Sequence, residues 1–236
     1  MKSAILTIFL LTAMTIGCGG QVRTIGDSTP TWSVLQQTSI ELPGNSGTVS
    51  FSNNVGQHNL IIVCLSVLFP NNQPVVTDSQ GNSYQFARAE LQRQPFSYIF
   101  YAQDTKPGPT VINITTDSPN NSFDAIVIEL AGAALTNALD GTGGAEISAG
   151  QTHWAGGIPA TSKPDDFIFG FMYSGSPSTP TDGTFIIGLN TSLGFLSTAY
   201  IVGNRIPTQD NQFQLNWSQL NANKPWIGLM AAFQKP

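Results

Sequence analysis

The sequence predicts an all-β fold, a two-layer antiparallel β-sandwich of about ten to twelve strands. Two observations carry that prediction. Short runs rich in β-branched and aromatic residues recur through the chain, with Gly, Pro, Asn and Asp turn chemistry between them at the spacing of sandwiches and barrels. No segment shows a sustained apolar stripe at 3.6-residue spacing.

The runs justify the fold one by one. Ser33–Leu42 and Thr48–Ser52 come first. "LIIVCLSVLF" (60–69) is apolar on both faces, which fits a central strand covered on both sides. "PVVT" and "SYQFARA" follow, separated by "DSQGN", where Gly81 and Asn82 tolerate positive φ. "FSYIFYAQ" is aromatic, as strands tend to be. "TVINITT" alternates, with Ile112 and Ile114 on one face and Val111 and Asn113 on the other. "FDAIVIELAG" is a second dense run. "DFIFGFMYS", "TFIIGL", "GFLSTAYIVG", "QFQLNWSQ" and "PWIGLMAAF" complete the set. "ELAGAALTNALDG" has room for one helical turn. The closing strand, Pro225–Phe233, is too apolar to stand as a bare edge, and we expect it beside Ser33–Leu42.

The 236 residues are 41% hydrophobic and only 10% charged, with net charge −5. An ordinary soluble domain carries about 25% charged residues. The surface is therefore dressed with Asn, Gln, Ser and Thr, a composition suited to an extracellular or cell-surface setting. Basic residues are scattered, which argues against nucleic acid, since that partner needs several phosphate-neutralising cations on one face.

The N-terminus supplies an address. One Lys precedes the apolar run Ala4–Ile16, too short to span a bilayer and suited to a secretory leader. Thr15-Ile16-Gly17-Cys18 resembles the lipobox of bacterial lipoproteins, with Thr15 where Leu is usual. That resemblance implies cleavage before Cys18 and acylation of its sulfur, the chain touching membrane only through the lipid. Simple secretion with a cut near Gly20 is the alternative. The expected organisation is a signal peptide over 1–17, a polar tether over 18–31 and one sandwich domain over 32–236, without an internal sequence repeat.

Few residues are candidates for chemistry. Asp78 and Asn82 lie in a hairpin turn that lacks the alternating oxygen ligands of a calcium loop. Glu129 sits inside "AIVIELAG", where a carboxylate must be paired, hydrogen-bonded or protonated. It reads as a structural anchor, or as a general acid if Asp140 or Asp78 faces it. His153 and Trp154 fall in the Gly-rich "GGAEISAGQTHWAGGIP", read as the longest loop, where a Trp is able to stack on a sugar. Cys64 reads as a buried inert thiol, and Trp217 and Trp226 as core. Two His and two Cys do not make a usual zinc site, and no nucleotide-binding or hydrolase motif is present, so no metal, cofactor or catalytic residue is expected.

"VVTDSQGNSYQF", "FSYIFYAQDTKPGPTVINI", "IVIELAG", "ALDGTGG" and "WIGLMAAF", in that order, resemble a recurrent β-sandwich module of bacterial secreted and surface proteins over about residues 45–236. The shared marks are a D-x-x-G-N-x-[YW] turn, Gly near "KPG" after an aromatic strand, E-x-x-G closing a strand and a last strand ending in Phe. The resemblance implies a jelly-roll-like, lectin-like shell and no catalytic residue. The expected function is binding or adhesion at the surface, with glycan as candidate ligand at the end loops. A glycan-active enzyme using Glu129 and a structural envelope component are the alternatives.

Overall fold

The computed structural model describes residues 31–68, 70–92, 94–117, 122–147, 153–159, 165–174, 178–180, 186–190, 196–202, 212–219, 223–224 and 226–236, with side chains given for only some of those after residue 144. Every described regular element is a strand. They are β1 (Ser33–Pro43), β2 (Ser46–Ser50), β3 (Leu60–Val67), β4 (Val75–Asp78), β5 (Gln85–Glu90), β6 (Phe96–Ala102), β7 (Val111–Thr115) and β8 (Ser122–Ala131), followed by β9 (Leu139–Ile147), β10 (His153–Pro159), β11 (Phe167–Ser174), β12 (Ser178–Pro180), β13 (Ile186–Asn190), β14 (Leu196–Val202), β15 (Gln212–Gln219) and β16 (Trp226–Phe233). The fold is an antiparallel β-sandwich, and each run named in the sequence became a strand.

The sandwich is built twice. Sheet I has the order β1-β8-β3-β6-β5 and is covered by sheet II, β2-β7-β4. Sheet III has the order β13-β14-β11-β16-β9 and lies against sheet IV, β10-β15-β12. Adding eight to each strand number of sheets I and II reproduces sheets III and IV. The repeat is one of wiring, not of residues, which is why the sequence does not display it. The two halves face each other through sheets I and III. Contacts are reciprocal: β1 meets β13 while β5 meets β9, and β6 meets β16 while β8 meets β14. That is the pattern of an isologous interface made within one chain.

Two cores follow from the period-two alternation of the central strands. On β3, Ile61, Val63, Leu65 and Val67 pack toward Val49, Val76, Ile112 and Ile114 of sheet II. Leu60, Ile62 and Cys64 of the same strand pack toward Phe167, Phe169, Phe171, Leu229 and Phe233 of sheet III. All eight residues of β3 and of β16 are buried. In the second core, branched aliphatics of one half meet rings of the other, so side chains of unlike shape interdigitate.

Two expectations need correction. The last strand does not lie beside the first. β16 runs between β11 and β9, and β1 pairs with β8. Each half closes by setting its own last strand beside its own first, so the apolar β16 is satisfied by β9, the first strand of its own half, which starts 106 residues after β1 does. Nor does the segment between the halves form a helical turn. Gly132 adopts φ +101, and Ala134 and Ala138 bond the C-terminal Gln234 backbone instead.

Candidate functional site

The Asp78 turn is a hydrogen-bonded hub. Asp78 Oδ1 accepts from the backbone N–H groups of Gln80 and Asn82, both at 3.0 Å. Its Oδ2 accepts from Asn82 Nδ2 at 2.7 Å and from the Tyr84 hydroxyl at 3.1 Å. Burial, then the adjacent Asp78 carboxylate, pushes the Tyr84 phenol well above its usual range. Gly81 takes φ +68, which a turn of this shape requires and a Cβ disfavours. Asn82 Oδ1 accepts from Lys106 N at 2.8 Å, and Lys106 Nζ donates to Gly81 O at 2.8 Å. The turn thus docks on the loop that follows β6.

An open cleft of about 360 Å³ lies beside this junction, lined by Asn82, Ser83, Gln85, Gln103, Asp104 and Lys106, with the half-exposed Leu135 at its rim. The amides are oriented from behind. Gln85 Oε1 accepts from Tyr101 OH at 2.9 Å and Gln103 Oε1 accepts from Ala138 N at 2.8 Å. Their NH₂ groups have no protein partner among the described residues. Asp104 carries His58 on its Oδ1 at 2.5 Å, and both residues hold left-handed backbone, φ +53 and +63. Such conformations are uncommon outside glycine and persist only where surrounding bonds fix them. Here those bonds include His58 N to Thr105 O at 2.9 Å.

Glu129 is a second hub and is 1% exposed. Its Oε1 accepts from Gly56 N at 2.7 Å and Asn59 Nδ2 at 2.6 Å, and its Oε2 accepts from Gln36 Nε2 at 2.5 Å. Gln36 also bonds the Asn53 backbone through both amide atoms. The carboxylate therefore ties the 53–59 connection to β1 and β8. A Cβ on Gly56 would fall 2.5 Å from Asn59 Nδ2, so glycine is what permits this approach. Each Glu129 oxygen is committed to a structural donor. Asp78 belongs to its own hub on the turn after β4, and the hydrogen-bond partners described for Glu129 are Gln36, Gly56 and Asn59.

His153 and Trp154 were expected in a loop. Their backbones instead open β10, paired opposite Ser218 and Trp217 of β15. The described parts of the Gly-rich run are the end of β9 and the whole of β10, strands of two different sheets. Glycines remove the side-chain alternation by which a strand is recognised. β10 belongs to sheet IV and Asp78 to sheet II, the two outermost layers. Sheets stack about 10 Å apart, so two inner sheets put roughly 30 Å between those layers. Asp78 with Asn82 and His153 with Trp154 therefore do not make one site. The side chains of His153, Trp154 and Trp217 lie outside the described residues, as does Cys18. Cys64 is fully buried, and burial raises its thiol pKa well above the usual value. Trp226 is core.

The sequence reading passed over Asp124. It lines a second cavity of about 250 Å³ at the opposite end of the sandwich, with Ser66 and Tyr173. Burial, then the neighbouring Glu41, pushes the Asp124 carboxyl up to about 6. Asp124 stands in the same dense run that drew attention to Glu129, but the groups that give it significance, Glu41 and Tyr173, are remote in sequence. A third, smaller groove sets Phe86, exposed at 46%, near Phe96, Tyr98 and the Asn71–Gln73 amides. Among the described residues, no group of three or more His, Cys, Asp or Glu is placed to hold a metal ion.

No family model, curated protein or solved structure matches the chain.

Proposed function

We propose that the chain is an exported binding module that takes a polar ligand, a glycan, in the end-loop cleft beside the Asp78 turn. The observation that carries the reading is the unspent hydrogen-bonding capacity of that cleft. Gln85 and Gln103 present NH₂ donors whose opposite ends are already fixed, and Ser83, Asp104 and Lys106 add a hydroxyl, a carboxylate and an ammonium. Donors held from behind lose little freedom on binding, which favours affinity. Sugar hydroxyls supply the matching donors and acceptors, and Leu135 offers a small apolar contact for a ring edge. Support for export comes from the leader-like first seventeen residues, from the lipobox resemblance at Cys18 and from the 10% charged composition. The resemblance to surface-protein β-sandwich modules points the same way. Glycan catalysis by Glu129 has less support, because structural donors occupy both its oxygens.

A glycan-array screen tests the reading, with Gln103→Ala, Lys106→Ala and Trp154→Ala compared with the parent. We expect a bound glycan class that Gln103→Ala and Lys106→Ala weaken at least about tenfold, equal to 1.4 kcal/mol, with Trp154→Ala unchanged. Binding of no glycan, or binding lost only through Trp154, overturns it.

A further inference from the structure

We propose that the cavity between sheets I and III, at the end away from the Asp78 turn, is a binding site for a small organic cation, a primary ammonium group on a short apolar stem. The site rests on a row of polar residues that crosses sheet I. Strand register places Glu41 opposite Asp124, Asp124 opposite Ser66, Ser66 opposite Ser97 and Ser97 opposite Glu90. Residues directly opposite in a ladder share a face. This row follows the rows of Ile126, Cys64 and Ile99, which face sheet III. An apolar core thus gives way, at its last row, to five polar side chains.

Two of them have no hydrogen-bond partner among the described residues. They are Ser66, which is 3% exposed, and Ser97, which is fully buried. A buried polar group is ordinarily satisfied. Ser66 lines the cavity, so its unmet hydroxyl is one wall of a space able to hold the missing partner. Asp124 stands beside it, and sheet III contributes Tyr173 from across the gap. Leu68, Pro95 and Phe123 make the apolar wall.

Charge selects the ligand. The described lining contains a carboxylate, hydroxyls and apolar carbon, and no cation. Arg88, the cation described on the same sheet, is engaged by Glu90 at 2.5 Å on β5, beyond Ser97. An anion entering here would meet Asp124 with Glu41 behind it. A neutral polar ligand would satisfy Ser66 but leave the carboxylate's desolvation and like-charge repulsion in place. An ammonium ion answers all three conditions. It donates to Asp124 and to Ser66 Oγ, and it lies against the Tyr173 ring, a favourable partner for a cation. Its stem meets Leu68 and Phe123. The raised pKa of Asp124 has burial and Glu41 as its causes, and a bound cation counters both. Among the described residues, the charged or titratable groups facing Asp124 are Glu41 on β1 and Tyr173 on β11.

The experiment is an NMR titration of the full-length chain with n-butylammonium chloride at pH 7.5 and constant ionic strength, with n-butanol and sodium butyrate as matched probes. Saturable shifts at cavity residues are expected for butylammonium, with at least tenfold weaker binding of the other two. Asp124→Asn, close to isosteric, should weaken butylammonium at least tenfold, and Ser66→Ala severalfold. Glu41→Gln is the second variant if Asp124→Asn does not fold, and it should weaken binding at least threefold. The parent's affinity should fall between pH 7.5 and 5, where the amine stays charged and Asp124 gains its proton. Absence of saturable butylammonium binding, equal binding of butanol, or an Asp124→Asn variant that binds like the parent overturns the proposal. None of these results bears on the end-loop cleft.

Discussion

Exchanging the acceptor at residue 129 tests the anchoring argument most directly. In Glu129→Gln one amide oxygen replaces Oε1 and still accepts from Gly56 N and Asn59 Nδ2. An NH₂ group then replaces Oε2 and faces the NH₂ of Gln36, donor against donor. Gln36 is unable to turn its amide over freely, because its oxygen accepts from Asn53 N and its nitrogen donates to Asn53 O. The variant therefore loses one hydrogen bond to a carboxylate and buries an unmet donor, a cost of about 2 kcal/mol. For a domain of this size, about 2–4 °C of melting temperature accompanies each kcal/mol, so a drop of about 4–8 °C is expected. Gln36→Glu in the same chain restores an acceptor: one oxygen takes the new NH₂ and the other keeps Asn53 N. Only the bond to the exposed Asn53 carbonyl is lost. A double-mutant cycle followed by thermal denaturation should show the pair recovering more than half of the loss. A single Glu129→Gln variant that melts within about 1 °C of the parent, or two substitutions whose effects simply add, refutes the reasoning.

The pH dependence of stability carries a second test. Asp124 has a folded-state pKa of about 6, raised by burial and then by Glu41, against about 3.9 unfolded. Between those values the folded chain binds more protons than the unfolded chain, so this group's contribution to stability falls as pH rises through the window. Asp124→Asn should melt higher than the parent at pH 7.5 and lose that advantage near pH 4; parallel melting profiles for the two chains would contradict this. With Cys18→Ser, Cys64 is the sole thiol, and its burial and raised pKa predict no reaction with an aromatic disulfide reagent until denaturant is added. Gly132→Ala places a Cβ 2.8 Å from the Thr31 carbonyl at φ +101, and we expect a loss of about 1–3 kcal/mol in chemical denaturation. An unchanged midpoint would remove the case for strain there.

Much of the fold was legible because burial on both faces and period-two alternation leave direct marks. "LIIVCLSV" became the middle strand of sheet I, and "TVINITT" buried Ile112 and Ile114 as its alternation required. β9 was not legible. Its "LDGTGGAEI" was divided between a segment with room for a helical turn and the Gly-rich loop, yet Gly144 is where the Arg88–Glu90 pair approaches: a Cβ there would lie 2.8 Å from Arg88 Nε and 2.9 Å from Gly228 O. The glycine that hides the strand in the sequence is what lets the two halves meet. Pairing across the chain was also misjudged, since apolarity shows that β16 needs neighbours but not which ones. Among candidate residues, Asp78 and Asn82 were singled out through turn chemistry; Asn82 lines the cleft, and Asp78 holds the Asn82 backbone without lining it. Asp124 was missed because its significance depends on Glu41 and Tyr173, 83 and 49 residues away in sequence.

The reciprocal docking of sheets I and III makes this molecule something close to a dimer whose partners share one peptide. A larger ring introduced at Phe169 needs room given up by the other half, so change in either seam-facing surface must be answered across it. Severing the chain near Leu135 tests whether the seam holds without its tether: two fragments that find each other again would mean that the covalent link sets only their effective concentration.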